Sequence, residues 1–238
     1  MIKVSKLVKR FDSQVVLDDI NFCAPVNDIL VILGESGSGK SVLLQHLIGI
    51  LKPDSGSVEI DGVDITQLSE RALLKVRKNI GYLFQEGALY DFMTVYENVA
   101  FPLKEHTKLR GSEIRKKVER VLELVGLLGD ESKYPSELSG GMRKRAALAR
   151  AVIPDSRILF CDEPTSGLDP IRSREIYDLI RSITRHVKCT TIVASHDIQN
   201  SFRIADHLIL IQDGRIVAEG TPEQLSSSDN TFVKKFLR

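Results

Sequence analysis

The chain has 238 residues, of which 42% are hydrophobic and 27% charged, and its 33 Lys and Arg against 32 Asp and Glu leave a formal charge of +1. That length supports a self-sufficient core, and the composition excludes a disordered or fibrous chain. Near-neutral charge supplies no overall field to hold the chain on nucleic acid or an anionic membrane. Three cysteines, Cys23, Cys161 and Cys189, form no C-x-x-C pair, which points to a reducing compartment and not to a disulfide framework. Met1–Lys6 alternates apolar and polar residues without the apolar stretch of a signal peptide. No later run approaches the roughly 18 apolar residues of a membrane span, so a membrane role is expected only through a partner.

In chain order, residues 2–8 and 15–22 read as strands, Ile29–Leu33 as a short buried strand, and Ser41–Leu51 as the helix after it. Pro53–Gly56 reads as a turn, Ser57–Asp61 and Ile80–Phe84 as strands, and Glu70–Arg77 as a short helix between them. From Gly87 to Ala151 the pattern is helical, clearest where Ile114, Val118, Val121, Leu122 and Val125 make one apolar stripe. This stretch is expected to be a helical subdomain, residues 87–151, inserted into a strand-bearing core within a single 238-residue domain. Strand signals return at Arg157–Cys161, Thr190–Ala194 and His207–Ile211, interleaved with helices near 171–186 and 198–205. That alternation predicts an α/β fold with a largely parallel sheet covered by helices. Asp213-Gly214 between two apolar runs predicts a tight hairpin, and Phe232–Leu237 a short amphipathic helix.

Gly34-Glu35-Ser36-Gly37-Ser38-Gly39-Lys40-Ser41 matches G-x-x-x-x-G-K-[ST] between a predicted strand and a predicted helix, the context that separates a phosphate loop from a flexible Gly/Ser loop. Glycines let backbone N–H groups face an anion, the helix N-terminus adds its dipole, Lys40 supplies a point charge and the Ser41 hydroxyl is a Mg²⁺ ligand. Ile158–Asp162 is an apolar strand ending in two carboxylates, Asp162 and Glu163. Taken alone such a pair caps a helix. Paired with a phosphate loop, Asp162 is expected to hold Mg²⁺ through water, and Glu163 to orient or deprotonate the water that attacks a γ-phosphate.

Leu138-Ser139-Gly140-Gly141-Met142, followed by the helix-forming run Arg143–Ala151, resembles the signature sequence of the ABC (ATP-binding cassette) family. The resemblance covers essentially the whole chain. It implies the phosphate-loop NTPase cassette fold, with a RecA-like core, an N-terminal antiparallel β subdomain and the inserted helical subdomain. It further implies ATP and Mg²⁺ as ligands and a homodimer in which Ser139, Gly140 and Gly141 of one subunit cap the ATP held by the other. By the same resemblance Phe11 stacks on adenine, Gln85 touches Mg²⁺ or the lytic water, and His196 contacts the γ-phosphate. The loop Ser166-Gly167-Leu168-Asp169 matches that through which the two subunits sense each other, with Gly167 in place of the more usual alanine.

The chain also resembles the stand-alone ATPase subunits of bacterial transporters, whose separate permease docks beside the glutamine loop. Residues 86–103 are the corresponding stretch and are rich in aromatics. That wording, with Met142 and the following Arg-Lys-Arg in place of a Gln-rich signature tail, is similar to the Mce-associated, lipid-asymmetry branch. The branch moves phospholipid between the inner and outer membranes. The resemblance therefore implies a peripheral protein on the cytoplasmic face of the bacterial inner membrane, touching the membrane only through the permease. An amino-acid importer ATPase would share every catalytic motif, and a soluble ABC protein of DNA repair or translation is the alternative of another class. The latter usually carries a second cassette, a coiled-coil insertion or basic extensions. The clusters Arg143–Arg145 and Lys108, Arg110, Arg115, Lys116 and Lys117 read as solvated or signature-supporting helix faces, so no nucleic-acid partner is expected. The chain ends soon after Leu237, so no regulatory C-terminal domain is expected.

Overall fold

The structure, a computed structural model, describes residues 1–237 apart from the side chains of Thr231 and Phe232. Its elements begin with β1 (Ile2–Phe11), β2 (Gln14–Ala24), β3 (Ile29–Leu33), α1 (Lys40–Leu47), β4 (Ser55–Ile60), β5 (Val63–Asp64) and α2 (Glu70–Arg77). The middle of the chain forms β6 (Ile80–Leu83), α3 (Val95–His106), α4 (Gly111–Leu124), α5 (Gly140–Val152), β7 (Ile158–Asp162) and α6 (Pro170–Val187). The last part forms β8 (Thr190–Ser195), α7 (Ile198–Ile204), β9 (His207–Gln212), β10 (Arg215–Gly220), α8 (Pro222–Ser226) and α9 (Thr231–Phe236). The chain divides into two compact units, one of Met1–Lys75 with Thr190–Arg238 and one of Val76–Cys189.

The first unit holds an antiparallel sheet in the order β2-β1-β4-β5 and a second sheet in which β3 pairs in parallel with both β8 and β9, while β10 closes on β9 as an antiparallel hairpin. All five residues of β3 and all six of β8 are buried. β3 reads as a continuous apolar run, and β8 carries apolar residues at Ile192–Ala194, because a parallel strand is covered on both faces. Burying each such Ile, Leu or Val contributes about 1.5–3 kcal/mol, so these strands make a stiff base for the loops at their carboxyl ends. The hairpin predicted at Asp213-Gly214 is present, with φ of 48° and 74° at its two corner residues.

The second unit holds the parallel pair β6 and β7 together with α3, α4, α5 and α6. Within residues 87–151 the helices are α3, α4 and α5, with Ile114, Val118, Leu122 and Val125 buried as the predicted stripe of α4. Residues 87–94 and 125–139 are not α-helical.

Two boundaries differ from expectation for local reasons. The helix after the phosphate loop stops at Leu47, four residues early, because Gly49 turns the chain at φ 68° and donates its N–H to His46 O (3.0 Å). Ser55 and Gly56, expected in a turn, belong to β4. Gly56 (φ 86°) forms a bulge against Lys6 (φ 49°), and a Cβ there would lie 2.3 Å from Lys6 O. Bulges call for glycine as turns do. The C-terminal helix is present as α9, and the Phe232 side chain of the expected amphipathic face lies outside the described residues.

Candidate nucleotide site

In the first unit the chain leaves β3 at Gly34, whose N–H donates to Ser195 O at the end of β8 (3.3 Å). A Cβ at Gly34 would come within 2.5 Å of Ile211 O and of Ser38 Oγ, and one at Gly39, where φ is 99°, within 2.8 Å of Val16 O. The Ile211 and Val16 oxygens are backbone, which cannot step aside, so the loop path requires glycine at both positions. Gly39 caps α1 without a side-chain acceptor, the arrangement in which N-terminal N–H groups meet an anion. Lys40 is buried and donates through Nζ to Gly34 O (2.9 Å) and Glu35 O (3.0 Å), which fixes its ammonium at the loop. Ser38 Oγ is buried with no hydrogen-bond partner among the described residues. A buried hydroxyl left open inside a glycine-walled loop fits a polyphosphate.

A cavity of about 370 Å³ brings Gly34 and Glu35 together with His196, Gln212 and Phe236. His196 is exposed and precedes Asp197, which caps α7 by accepting from Asn200 N (3.1 Å). Phe236 also lines a smaller cavity beside Ser36, Gly37 and Ser38, a role that sequence reading missed. Phe11, at the end of β1, lies outside both cavities. It is 43% exposed, with the Lys9 ammonium 5.3 Å from its ring centroid, and so is not a core residue. Its ring is offered to the surface as a stacking platform requires.

In the second unit β7 is buried along its whole length and delivers Asp162, 8% exposed, at its carboxyl end. Tyr82, on β6 beside Phe160, donates to Asp162 Oδ2 (3.3 Å). Burial, followed by the Asp162 charge, pushes the Tyr82 phenol far above its ordinary range, so it stays a donor at any physiological pH. The next residue, Glu163, has φ 44°. A non-glycine residue held in the left-handed region costs about 1–3 kcal/mol, and such strain clusters at functional sites.

Gln85 is exposed just past β6 and donates through Nε2 to Ser166 Oγ (3.3 Å), while its main-chain oxygen accepts from Lys144 Nζ. Ser166 N donates to Glu163 O (3.1 Å), which ties this loop to the carboxylate pair. Gly167 has φ 77° with no atom within 4 Å of a would-be Cβ, so conformation and not crowding favours glycine there. Asp169 caps α6, and the N–H groups of Arg172 first and then Ile171 hold its carboxyl below the usual range.

Ser139 is the N-cap of α5, its Oγ accepting from Met142 N (3.3 Å). It is exposed beside Gly140 at the N-terminus of the helix. Arg143 donates to Leu138 O (2.8 Å), and Arg145 to Val125 O (3.0 Å) and Glu175 Oε2 (2.9 Å). The basic run therefore braces the signature helix. In the stretch 86–103, Val95, Asn98, Val99, Ala100 and Leu103 are buried, whereas Tyr90 is exposed and Phe92 is 75% exposed. Asn98, wholly buried, donates to the oxygens of Tyr90, Met93 and Thr94 (3.0 Å each) and accepts from Tyr90 N (2.8 Å), fixing the loop that presents Phe92.

Sequence reading missed Tyr82, Lys144 and Asn98. For Lys144 a signal existed: it shares the buried side of α5 with Gly141, Leu148 and Ala151, a position otherwise given to apolar or small residues. Among the described residues no helix is long and apolar enough to cross a membrane. No group of three or more His, Cys, Asp or Glu gathers there, as suits a Mg²⁺ site built from few protein ligands.

The sequence pattern of the ABC transporter family matches residues 17–166. The chain belongs to that family, whose cassettes bind ATP with Mg²⁺ and hydrolyse it. It is 45% identical over 236 residues to the "Probable ribonucleotide transport ATP-binding protein mkl" of Mycobacterium tuberculosis, covering 99% of this chain and 66% of that protein. It is 43% identical over 238 residues to the "Intermembrane phospholipid transport system ATP-binding protein MlaF" of Haemophilus influenzae, covering 100% of this chain and 90% of the relative. Among solved structures, the dimeric cassette MJ0796 superposes with a TM-score of 0.86 at 30% identity, covering 93% of this chain and 99% of that one. The same cassette is known in a post-hydrolysis state bound to ADP and Pi.

Proposed function

We propose that this chain is the ATP-hydrolysing subunit of a bacterial ABC transporter, working as a homodimer around two ATP on the cytoplasmic face of the inner membrane. It drives a separate permease that moves phospholipid between the inner and outer membranes. The observation that carries the ATPase reading is the phosphate loop, where glycines forced by backbone contacts, a buried Lys40 and an open Ser38 hydroxyl form one cradle. The phospholipid cargo is supported by full-length similarity to a phospholipid-transport ATPase, and permease docking by the exposed Phe92 in the stretch 86–103.

Each residue has a role in this reading. Phe11 stacks on adenine. Backbone N–H groups of Gly34–Gly39, with the side chain of Lys40, bind the phosphates. Ser41 in the first unit, and Gln85 and Asp162 in the second, would hold Mg²⁺, Asp162 through water, and the ion would supply positive charge to the phosphates. Glu163 orients the attacking water or takes its proton, Gln85 and His196 position the water and γ-phosphate, and Ser139, Gly140 and Gly141 cap the ATP of the partner subunit. Residues 87–151 act as the helical subdomain that carries the signature and receives the permease, through which alone the subunit meets the membrane. In this reading Arg143, Lys144 and Arg145 serve the protein's own loops and helices, being bonded to main-chain and carboxylate oxygens, and no nucleic-acid partner is assigned.

A second reading, ribonucleotide cargo, comes from the name of the mycobacterial relative. Purification from the native host with membrane partners separates the readings. A multi-pass permease with an Mce-type lipid-binding protein and bound phospholipid is expected. Co-purifying ribonucleotide, or a permease with a soluble amino-acid receptor, would move the subunit to another transporter class, and no membrane partner at all would overturn the transport reading while leaving the ATPase.

A further inference from the structure

We propose that Lys144 is a positioning residue for Gln85: from the signature helix α5 its ammonium holds the main chain of the glutamine loop, so that Gln85 and the signature Ser139–Gly141 are carried by one helix. The inference rests on the ATPase reading above, in which Gln85 acts at the metal or the lytic water. Both residues lie in the second unit.

The loop after β6 cannot hold its own shape. Gly87 and Ala88 are successive residues in the left-handed region, with φ of 78° and 49°. Alanine there is strained, and such strain persists only where surrounding contacts over-determine it. The turn supplies one bond of its own, from Gly87 N to Phe84 O (2.8 Å). Beyond it, α5 holds residues 85–88, as Asn98 of α3 holds the later residues from Tyr90. Lys144 Nζ donates to Gln85 O, and Arg150 donates through Nη1 to Ala88 O (2.8 Å) and through Nη2 to Gly87 O (2.9 Å). A Cβ at Gly87 would stand 3.4 Å from Ala147 Cβ, so the loop lies directly on the helix between the two cations. Charge-assisted bonds to three carbonyls within four residues, Gln85, Gly87 and Ala88, fix the backbone more firmly than neutral ones.

Lys144 is only 6% exposed, and burial lowers its pKa, an effect opposed by Glu86 and Glu163. Burying an ammonium is unfavourable unless it is well bonded, and an apolar residue would fill the same place on α5 without that cost. A cation there is therefore explained by what it holds. The Gln85 side chain, with its main chain anchored, reaches Ser166 Oγ in the loop that follows Glu163.

The test compares wild type, Lys144→Met and Lys144→Arg. In hydrogen exchange of the full chain without nucleotide, Lys144→Met should speed the amides of residues 86–90 by about tenfold or more, leave the rest of the second unit unchanged, and be rescued by arginine. In steady state, kcat should fall about tenfold with KM for ATP within about twofold, and half-maximal turnover should need more Mg²⁺. Unchanged exchange and kcat would overturn the proposal, as would uniform acceleration across the unit, which marks a stability role. If Lys144→Met fails to fold, Lys144→Gln, which keeps a donor on a shorter side chain, is read by the same criteria. If wild type itself hydrolyses no ATP, the ATPase reading fails, and the exchange data still judge Lys144.

Discussion

The phosphate loop and the glutamine loop both follow parallel strands, the first wholly buried and the second half-buried, yet they are held in opposite ways. The phosphate loop is shaped by backbone meeting backbone: Gly34 and Gly39 admit no Cβ because carbonyl oxygens of Ile211 and Val16 stand within 3 Å. The glutamine loop is shaped by side chains reaching across from α5, with Lys144 and Arg150 gripping the carbonyls of Gln85, Gly87 and Ala88. The first is a preformed cradle, closed by main-chain oxygens of β2 and β9. The second takes its position from the helix that grips it.

Variants that separate the two regions sharpen the contrast. Lys40→Ala removes the cation of the fixed cradle and should depress both ATP binding and turnover, the latter by on the order of 10³-fold, read by equilibrium nucleotide binding beside steady-state hydrolysis. Ser139→Arg fills the open helix N-terminus in the other unit. It should leave monomer affinity for ATP intact while lowering cooperative hydrolysis by on the order of 10- to 100-fold. Loss of monomer affinity would instead place Ser139 in its own chain's site. Gly167→Ala is the smallest change. It forces a side chain to φ 77° in open space, so it should cost about 1 kcal/mol and lower Tm by roughly 2–4 °C. A larger drop would mean that something packs against that loop.

The contrast also explains what the sequence discloses. Gly34–Ser41 stood out in the sequence because a loop that turns successive backbone N–H groups toward one anion needs glycines at set intervals, so the constraint appears as a spacing in the chain. Asp162 and Glu163 were legible because a buried strand must end where its apolar run ends. Tyr82 was not, because any donor that reaches across space can satisfy a carboxylate and nothing local marks the choice, whereas Lys144 left one trace, a cation on the buried side of α5. The same reasoning covers the fold. Interior strands and α2 were set by their apolar periods, whereas the end of α1 and the start of β4 depended on Gly49 and Gly56, whose left-handed conformations serve a stop and a bulge equally well as a turn. Residues 87–94 and 125–139 looked helical by composition, but the former segment takes its shape from Asn98 and Arg150.

The most direct test of the central claim is to compare Glu163→Gln with wild type, measuring nucleotide binding and hydrolysis on the same preparations. The substitution keeps size and hydrogen bonding while removing the carboxylate that is to act on water. Retained ATP affinity with turnover reduced by on the order of 10² to 10⁴-fold is the expected result. Near-normal hydrolysis by Glu163→Gln would contradict it and leave the strained carboxylate at the end of β7 without a catalytic role.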